Sequence, residues 1–223
     1  METLRDCFHS SGDKEEEEKK ADGGGLTAKE FRDIMLQEEA TGKMYVRGYD
    51  REGRAVLYMK PGRENTNHEA NNMRNLVWNM EKAIAVSQKR GFSKIVVVID
   101  YKGFSMRKAP PLSTSKYTLS IMQDHYPERC ERFYLTNPPF IFKAFWAAVK
   151  PFVDPHTKQK IVFATGKSGI EQLVQDLGGD SSVLEECAGG TNPNLKEFDV
   201  EEYFNLPLDE GFDDAAFSCK VTK

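Results

Sequence analysis

Apolar residues follow two different periods along this chain. They recur at helical spacing in Phe31, Ile34 and Met35, in Met73, Leu76, Val77, Met80 and Ile84, and in Ile170, Leu173, Val174 and Leu177. Thr27-Ala28-Lys29-Glu30 is a capping box that opens the first of these helices. The second spans about Asn72 to Arg90 and ends at Gly91; the third is predicted to be capped by Ser168 and stopped by Gly178-Gly179. Strand patterns lie between them. Met44 to Gly48 and Ala55 to Met59 flank Asp50-Arg51-Glu52-Gly53 as a hairpin, and Ile95 to Ile99 is an unbroken β-branched run suited to a strand covered on both faces. A further helix is predicted from Ser113 to Tyr126, with Leu119 and Met122 on one face and Tyr117 and Ile121 on another. Strands follow at Arg132 to Thr136 and Lys160 to Thr165, and a short helix at Ser182 to Cys187. Strand and helix alternate with crossover-length connections, which predicts an α/β fold: a mostly parallel sheet flanked by helices.

One element breaks the amphipathic rule. Between Pro138-Pro139 and Pro151, the stretch Phe140 to Lys150 reads as a helix of about three turns. Its residues Phe140, Ile141, Phe142, Phe145, Trp146 and Val149 cannot share one stripe, and only Lys143 and Lys150 interrupt them. Such a helix is either buried on every side or apolar towards two media: a cavity beneath it and a bilayer above, with lysine stems snorkelling. It is too short to span a membrane.

Composition narrows the class. With 223 residues, 39% hydrophobic and 30% charged, the chain suits one good-sized soluble domain with tails, and a net charge of −4 without a basic, aromatic-interleaved patch argues against nucleic acid as a partner. No apolar stretch approaches membrane-spanning length, Met1-Glu2-Thr3-Leu4-Arg5-Asp6 does not read as a signal-peptide h-region, and Cys7, Cys130, Cys187 and Cys219 have neither disulfide-framework nor zinc spacing. A reduced, cytoplasmic protein without metal is expected. The acidic and Gly-rich residues 1–25 read as a disordered leader, and residues 192–223 as an acidic tail, solvated or partner-binding. Lys143, Lys150, Lys158, Lys160 and Lys167 crowd the apolar helix, opposed only by Asp154; this charge suits an anionic leaflet.

Candidate chemistry follows from strand order. If the strands near Lys94, Arg132 and Lys160 are parallel, their starts share one sheet edge, so Glu128 and Lys160 can meet at that rim. Gly166-Lys167-Ser168 has the ending of a P-loop, but Ile161 stands where that loop needs glycine. The Gly-x-Ser-x-Gly elbow of esterases does not occur, which argues against an esterase; a binding protein, not an enzyme, with no cofactor is the expectation.

Taken in order, Tyr126-Pro127-Glu128-Arg129, Phe133-Tyr134, Asn137, Pro139-Phe140, Lys150-Pro151-Phe152-Val153-Asp154-Pro155, Thr157 and Lys160-Ile161 resemble the CRAL-TRIO lipid-binding domain. The chain is most similar to its fungal phosphatidylinositol/phosphatidylcholine transfer proteins. Asp50-Arg51-Glu52-Gly53-Arg54, Leu76-Val77-Trp78, Asp100-Tyr101-Lys102-Gly103 and Gly189-Gly190-Thr191 extend the likeness from about Met44 to Thr191, within a domain at residues 26–191. The resemblance implies a hydrophobic lipid cavity over the sheet, gated by the helix at Phe140–Phe152. Phe140, Phe142, Lys143, Phe145, Trp146, Val149, Lys150 and Phe152 are then gate or membrane-contact residues. It further implies that Glu128, Thr157 and Lys160 contact the headgroup of one phospholipid, phosphatidylinositol, during transient contact with anionic membranes.

Two departures accompany it. Ile95 and Val97 stand where phosphatidylcholine-binding members carry hydroxyls. Of the usual N-terminal three-helix bundle only the helix near Thr27–Ala40 is recognisable, which reads as a minimal variant or a truncated chain. The alternative function is an adaptor that binds a protein such as a small GTPase. Glu202-Tyr203-Phe204-Asn205 faintly resembles a two-aromatic acidic-tract motif that docks on endoplasmic-reticulum receptors.

Overall fold

The computed structural model describes residues 26–192 and 195–217; the expected leader, together with Cys7 and Cys219, lies outside the described residues. Helix α1 (Ala28–Glu39) begins at the Thr27 capping box, in which the Glu30 N–H donates to Thr27 Oγ1 while Glu30 Oε2 accepts from the Thr27 N–H. Strands β1 (Met44–Tyr49) and β2 (Ala55–Met59) form the predicted antiparallel hairpin. Its turn is set by Asp50, whose Oδ1 accepts the N–H groups of Glu52, Gly53 and Arg54 at 3.0, 3.0 and 2.9 Å. Gly53 supplies the positive φ of +105° that closes it.

Helix α2 (Glu69–Lys89) leads to strand β3 (Ile95–Asp100), the centre of a five-stranded sheet of order β1-β2-β3-β4-β5. Strands β4 (Cys130–Thr136) and β5 (Ile161–Ala164) complete it, and every pairing after the hairpin is parallel. The period of two sorts the side chains to two faces. Ile95, Val97, Phe133 and Leu135 join an inner cluster with Leu76, Met80 and Ala83 of α2. Val96, Val98 and Tyr134 join an outer cluster with Met35 of α1 and Leu173 of α6 (Gly166–Asp176).

Several element boundaries differ from expectation. The helix read as Ser113–Tyr126 is α3 (Leu112–Ser120) followed by a π-helical turn, Ile121–His125. The apolar helix has only two regular turns, α4 (Phe142–Val149), because Phe140 and Ile141 are taken up in a tight turn after Pro139 and a 3-10 turn covers Lys150–Phe152. Lys160 does not open a strand: it ends a short helix, α5 (Pro155–Lys160), whose start Asp154 caps by accepting the Thr157 N–H at 2.8 Å. Asp154-Pro155 was a readable N-cap and N1 pair. Ser168 is not a cap either, since α6 starts at Gly166 after Thr165. Ser182 to Cys187 forms two separate 3-10 turns, not one helix.

The largest correction concerns the acidic tail. From residue 195 to 217 the described segment packs on the outer face, through α7 (Val200–Asn205) and the buried Tyr203, Phe212 and Phe217. The Phe212 N–H donates to the Val46 carbonyl at 2.8 Å, and Phe198 stacks on Tyr45 with centroids 4.7 Å apart. Its acids meet bases far away in sequence. Glu201 pairs with Arg32 at 2.8 Å, Asp213 with Arg47 at 3.3 Å, and Asp209 and Glu210 with Lys89 at 3.3 and 3.1 Å. Tyr203 is fully buried, so Glu202-Tyr203-Phe204-Asn205 is not displayed as a docking motif in this fold. Just upstream, buried Glu185 accepts from Tyr45, Arg47 and Lys60 at 2.8, 2.8 and 2.7 Å. Burial alone would raise its carboxyl, but the charges of Lys60 and Arg47 outweigh that and hold it below the usual range.

Candidate functional site

The inner cluster does not fill the space above the sheet. A cavity of about 950 Å³ lies between the sheet, α2, α3 and α4. Ile99, Phe133, Leu135 and Ile161 form its floor, Met73 and Leu76 of α2 one wall, and Leu119 and Met122 of α3 and its π turn another. Phe145, Trp146 and Val149 of α4 complete the lining. Its size is at the upper end for small-molecule pockets, and its walls are largely apolar.

One rim is polar, and strand order puts it there. Strands β4 and β5 run parallel with Phe133 opposite Ile161, so the segments that precede them emerge side by side. Glu128 sits in the turn before β4 at φ +57°, an uncommon conformation for a residue with a side chain, and the Arg129 N–H closes the turn on the Tyr126 carbonyl. Lys160 ends α5 immediately before β5, and its Nζ donates to Glu128 Oε2 at 2.7 Å. The Lys160 hydrogen bond and its charge hold the Glu128 carboxyl below the usual carboxylate range. The side chains are 66% exposed for Glu128 and 22% for Lys160, so the pair stands at the cavity mouth with its polar atoms within reach of a ligand. Thr157 lines the same rim one turn earlier on α5. The three residues predicted to contact a headgroup therefore converge on one cavity.

The predicted gate residues divide into three groups. Phe145, Trp146 and Val149 line the cavity. Phe142 belongs neither to the lining nor to the outer surface; it is 3% exposed, packed 4.3 Å from Tyr101 in the domain body. Phe140 and Phe152 face solvent at 85% and 40% exposure, beside the exposed Lys143 and Lys150. The outward face of α4 itself carries Ala144, Ala147 and Ala148, so the exposed bulk sits at the ends of the helix. No helix among the described residues is long and apolar enough to cross a membrane.

Sequence reasoning missed the other polar lining. Lys43 Nζ gathers Glu64 Oε1, Thr66 Oγ1 and Asn72 Oδ1 at 2.6, 3.2 and 2.9 Å, across separations of 21, 23 and 29 residues. Thr114, Ser115 and Thr118 put hydroxyls on the cavity side of α3; their spacing over one helical turn was the available signal.

The CRAL/TRIO domain pattern matches residues 39–190. Phosphatidylinositol transfer protein PDR17 of Saccharomyces cerevisiae is 40% identical over 149 residues, covering 65% of this chain and 41% of the relative. A CRAL-TRIO domain-containing protein of Schizosaccharomyces pombe is 37% identical over 131 residues, 59% of this chain and 13% of the relative. SEC14 cytosolic factor of Kluyveromyces lactis is 32% identical over 200 residues, 78% of this chain and 66% of the relative. The chain thus spans less than half the length of the first two. With the pattern covering all five strands of the sheet, both cavity walls and the polar rim, the chain belongs to the CRAL/TRIO domain family.

Proposed function

We propose that this chain holds one phospholipid, phosphatidylinositol, with its acyl chains in the cavity and its headgroup at Glu128, Thr157 and Lys160, and exchanges or presents it at anionic membranes. The observation that carries the reading is an apolar cavity of about 950 Å³ whose mouth holds a carboxylate–ammonium pair 2.7 Å apart. A carboxylate accepts several hydroxyl hydrogen bonds, as an inositol ring requires, and an ammonium donates to phosphate or hydroxyl oxygens. The names of the yeast relatives, a phosphatidylinositol transfer protein and a SEC14 cytosolic factor, support the same ligand class. The buried, hydroxyl-free Ile95 and Val97 disfavour a choline headgroup at the floor.

Energetics give the roof its role. Two sixteen-carbon chains carry on the order of 25 kcal/mol of transfer free energy, at roughly 0.8 kcal/mol per methylene. Lipid pickup is near neutral only if bilayer contacts are exchanged directly for protein contacts, beneath a roof that opens at the membrane. Phe145, Trp146 and Val149 form the part of α4 that must move, and Phe140, Ile141 and Phe152 with Lys143 and Lys150 form the part that meets the leaflet. Native mass spectrometry with lipid extraction, on protein purified from eukaryotic cells, tests the proposal. Phosphatidylinositol at near one per chain is expected; a lipid-free protein after exposure to phosphatidylinositol vesicles refutes it.

A further inference from the structure

The cavity runs the length of the sheet and has a second polar end. Strand β3 meets Cys130 at its start and Thr136 at its finish, so the Glu128–Lys160 rim and the loop after Asp100 occupy opposite edges. The six residues of β3 put them about 20 Å apart. Arg107 lines the cavity from that loop. Other cations at this end are already engaged: Lys60 by Glu185 at 2.7 Å, Lys43 by Glu64 at 2.6 Å, and Lys108 by the Gly62 carbonyl. Arg107 has no ion pair or hydrogen bond among the described residues. Of the two acids lining this end, Glu64 is held by Lys43, and Glu69 makes no ion pair with Arg107.

A second feature converges on the same place. Helix α3 starts a few residues after Arg107, and its N-cap, Pro111, offers no side-chain bond to the first-turn N–H groups. Three hydroxyls of this helix line the cavity, and two are satisfied by their own backbone: Ser115 by the Pro111 carbonyl at 3.3 Å and Thr118 by the Thr114 carbonyl at 3.0 Å. The Thr114 hydroxyl has no such partner, although the residue is only 9% exposed. The hydroxyl of the largely buried Thr114, the exposed and unpaired guanidinium of Arg107 and a helix start without a side-chain cap are donors at one end of the cavity, and their shared chemistry matches an anion.

We propose that Arg107, Thr114 and the first turn of α3 form a second headgroup station, for a phosphate-bearing anion, at the end of the cavity opposite Glu128 and Lys160. For a lipid ligand it rests on the carrier reading above. The two stations then select differently. The carboxylate of Glu128 favours a polyhydroxyl head, whereas the second station presents donors and favours a compact phosphate monoester such as that of phosphatidate. Inorganic phosphate shares this chemistry, so the test must separate the two sources.

The full chain, Arg107→Ala and Thr114→Val are titrated calorimetrically with inorganic phosphate, and loaded from phosphatidylcholine vesicles containing either phosphatidate or phosphatidylinositol. Loss of a charge-assisted contact should lower the phosphatidate-to-phosphatidylinositol loading ratio about tenfold in Arg107→Ala, and less in Thr114→Val. Arg107-dependent binding of phosphate without phosphatidate loading assigns the station to the free anion. If phosphate binds in an Arg107-dependent way but neither lipid loads, the station stands and the carrier reading falls. An unchanged ratio together with phosphate binding that is absent or indifferent to Arg107 overturns the station, while leaving phosphatidylinositol loading as a separate result.

Discussion

Tyr203→Phe removes a single oxygen atom and tests whether the C-terminal segment is part of the domain. The Tyr203 hydroxyl is fully buried; it donates to Asn79 Oδ1 at 2.9 Å and accepts the Val46 N–H at 2.8 Å. It therefore links α7 to α2 and to the backbone of β1. Phenylalanine keeps the ring contacts with Trp78 (5.4 Å) and Phe198 (5.2 Å) and strands the two partners. Each buried unsatisfied group costs about 1–3 kcal/mol. Asn79 also donates to Glu39 Oε1 at 3.3 Å and to Asn75 at 3.0 Å, so the network can readjust and the two costs will not fully add. A loss of about 2–4 kcal/mol is expected. Urea unfolding followed by circular dichroism and by tryptophan fluorescence measures it, with Trp78 reporting from beside Tyr203. Coincident transitions mean that the segment unfolds with the domain. The comparison is Glu201→Ala, which breaks an exposed pair with Arg32 and should cost no more than about 1 kcal/mol. A loss below about 0.5 kcal/mol for Tyr203→Phe would refute the reasoning.

Lys160→Ala and Glu128→Ala should each lower phosphatidylinositol pickup with thermal stability nearly unchanged, because the carboxylate of the pair is 66% exposed and the ion pair is screened by solvent; equal loading of variant and parent would remove the site. Phe140→Asp should reduce partition onto anionic vesicles without altering the lipid held, since this side chain faces solvent and does not line the cavity; unchanged sedimentation with vesicles would exclude the end of α4 as the contact. Burial pushes the Glu39 carboxyl up to about 7, against the opposing pull of Asn75, the Met44 N–H and Lys43. Its folded value lies above the ordinary 4.5, so the folded state binds the extra proton and stability declines as pH rises through that window. Glu39→Gln should flatten this decline, worth about 3 kcal/mol in all; parallel stability curves for parent and variant between pH 4.5 and 7.5 would contradict it.

The alternation of strands and helices, the hairpin and the central β-branched strand were legible in the chain because each follows from local periodicity. The expected parallel strand order placed Glu128 and Lys160 on one rim, since parallel strands must start at one edge. The division of labour on α4 was not legible. A helix apolar all round carries no mark saying which aromatic side chains line a cavity, which, like Phe142, anchor the body, and which face water. Packing alone sorts them. The tail was misread for a similar reason. Composition counts its acids, but their partners Arg32, Arg47 and Lys89 lie more than a hundred residues away, and only the folded chain brings them together. Local sequence therefore determined the elements and the edge where charge collects. Tertiary structure decided where the core stops short of filling, because an empty volume arises from contacts between distant segments and no single segment encodes it.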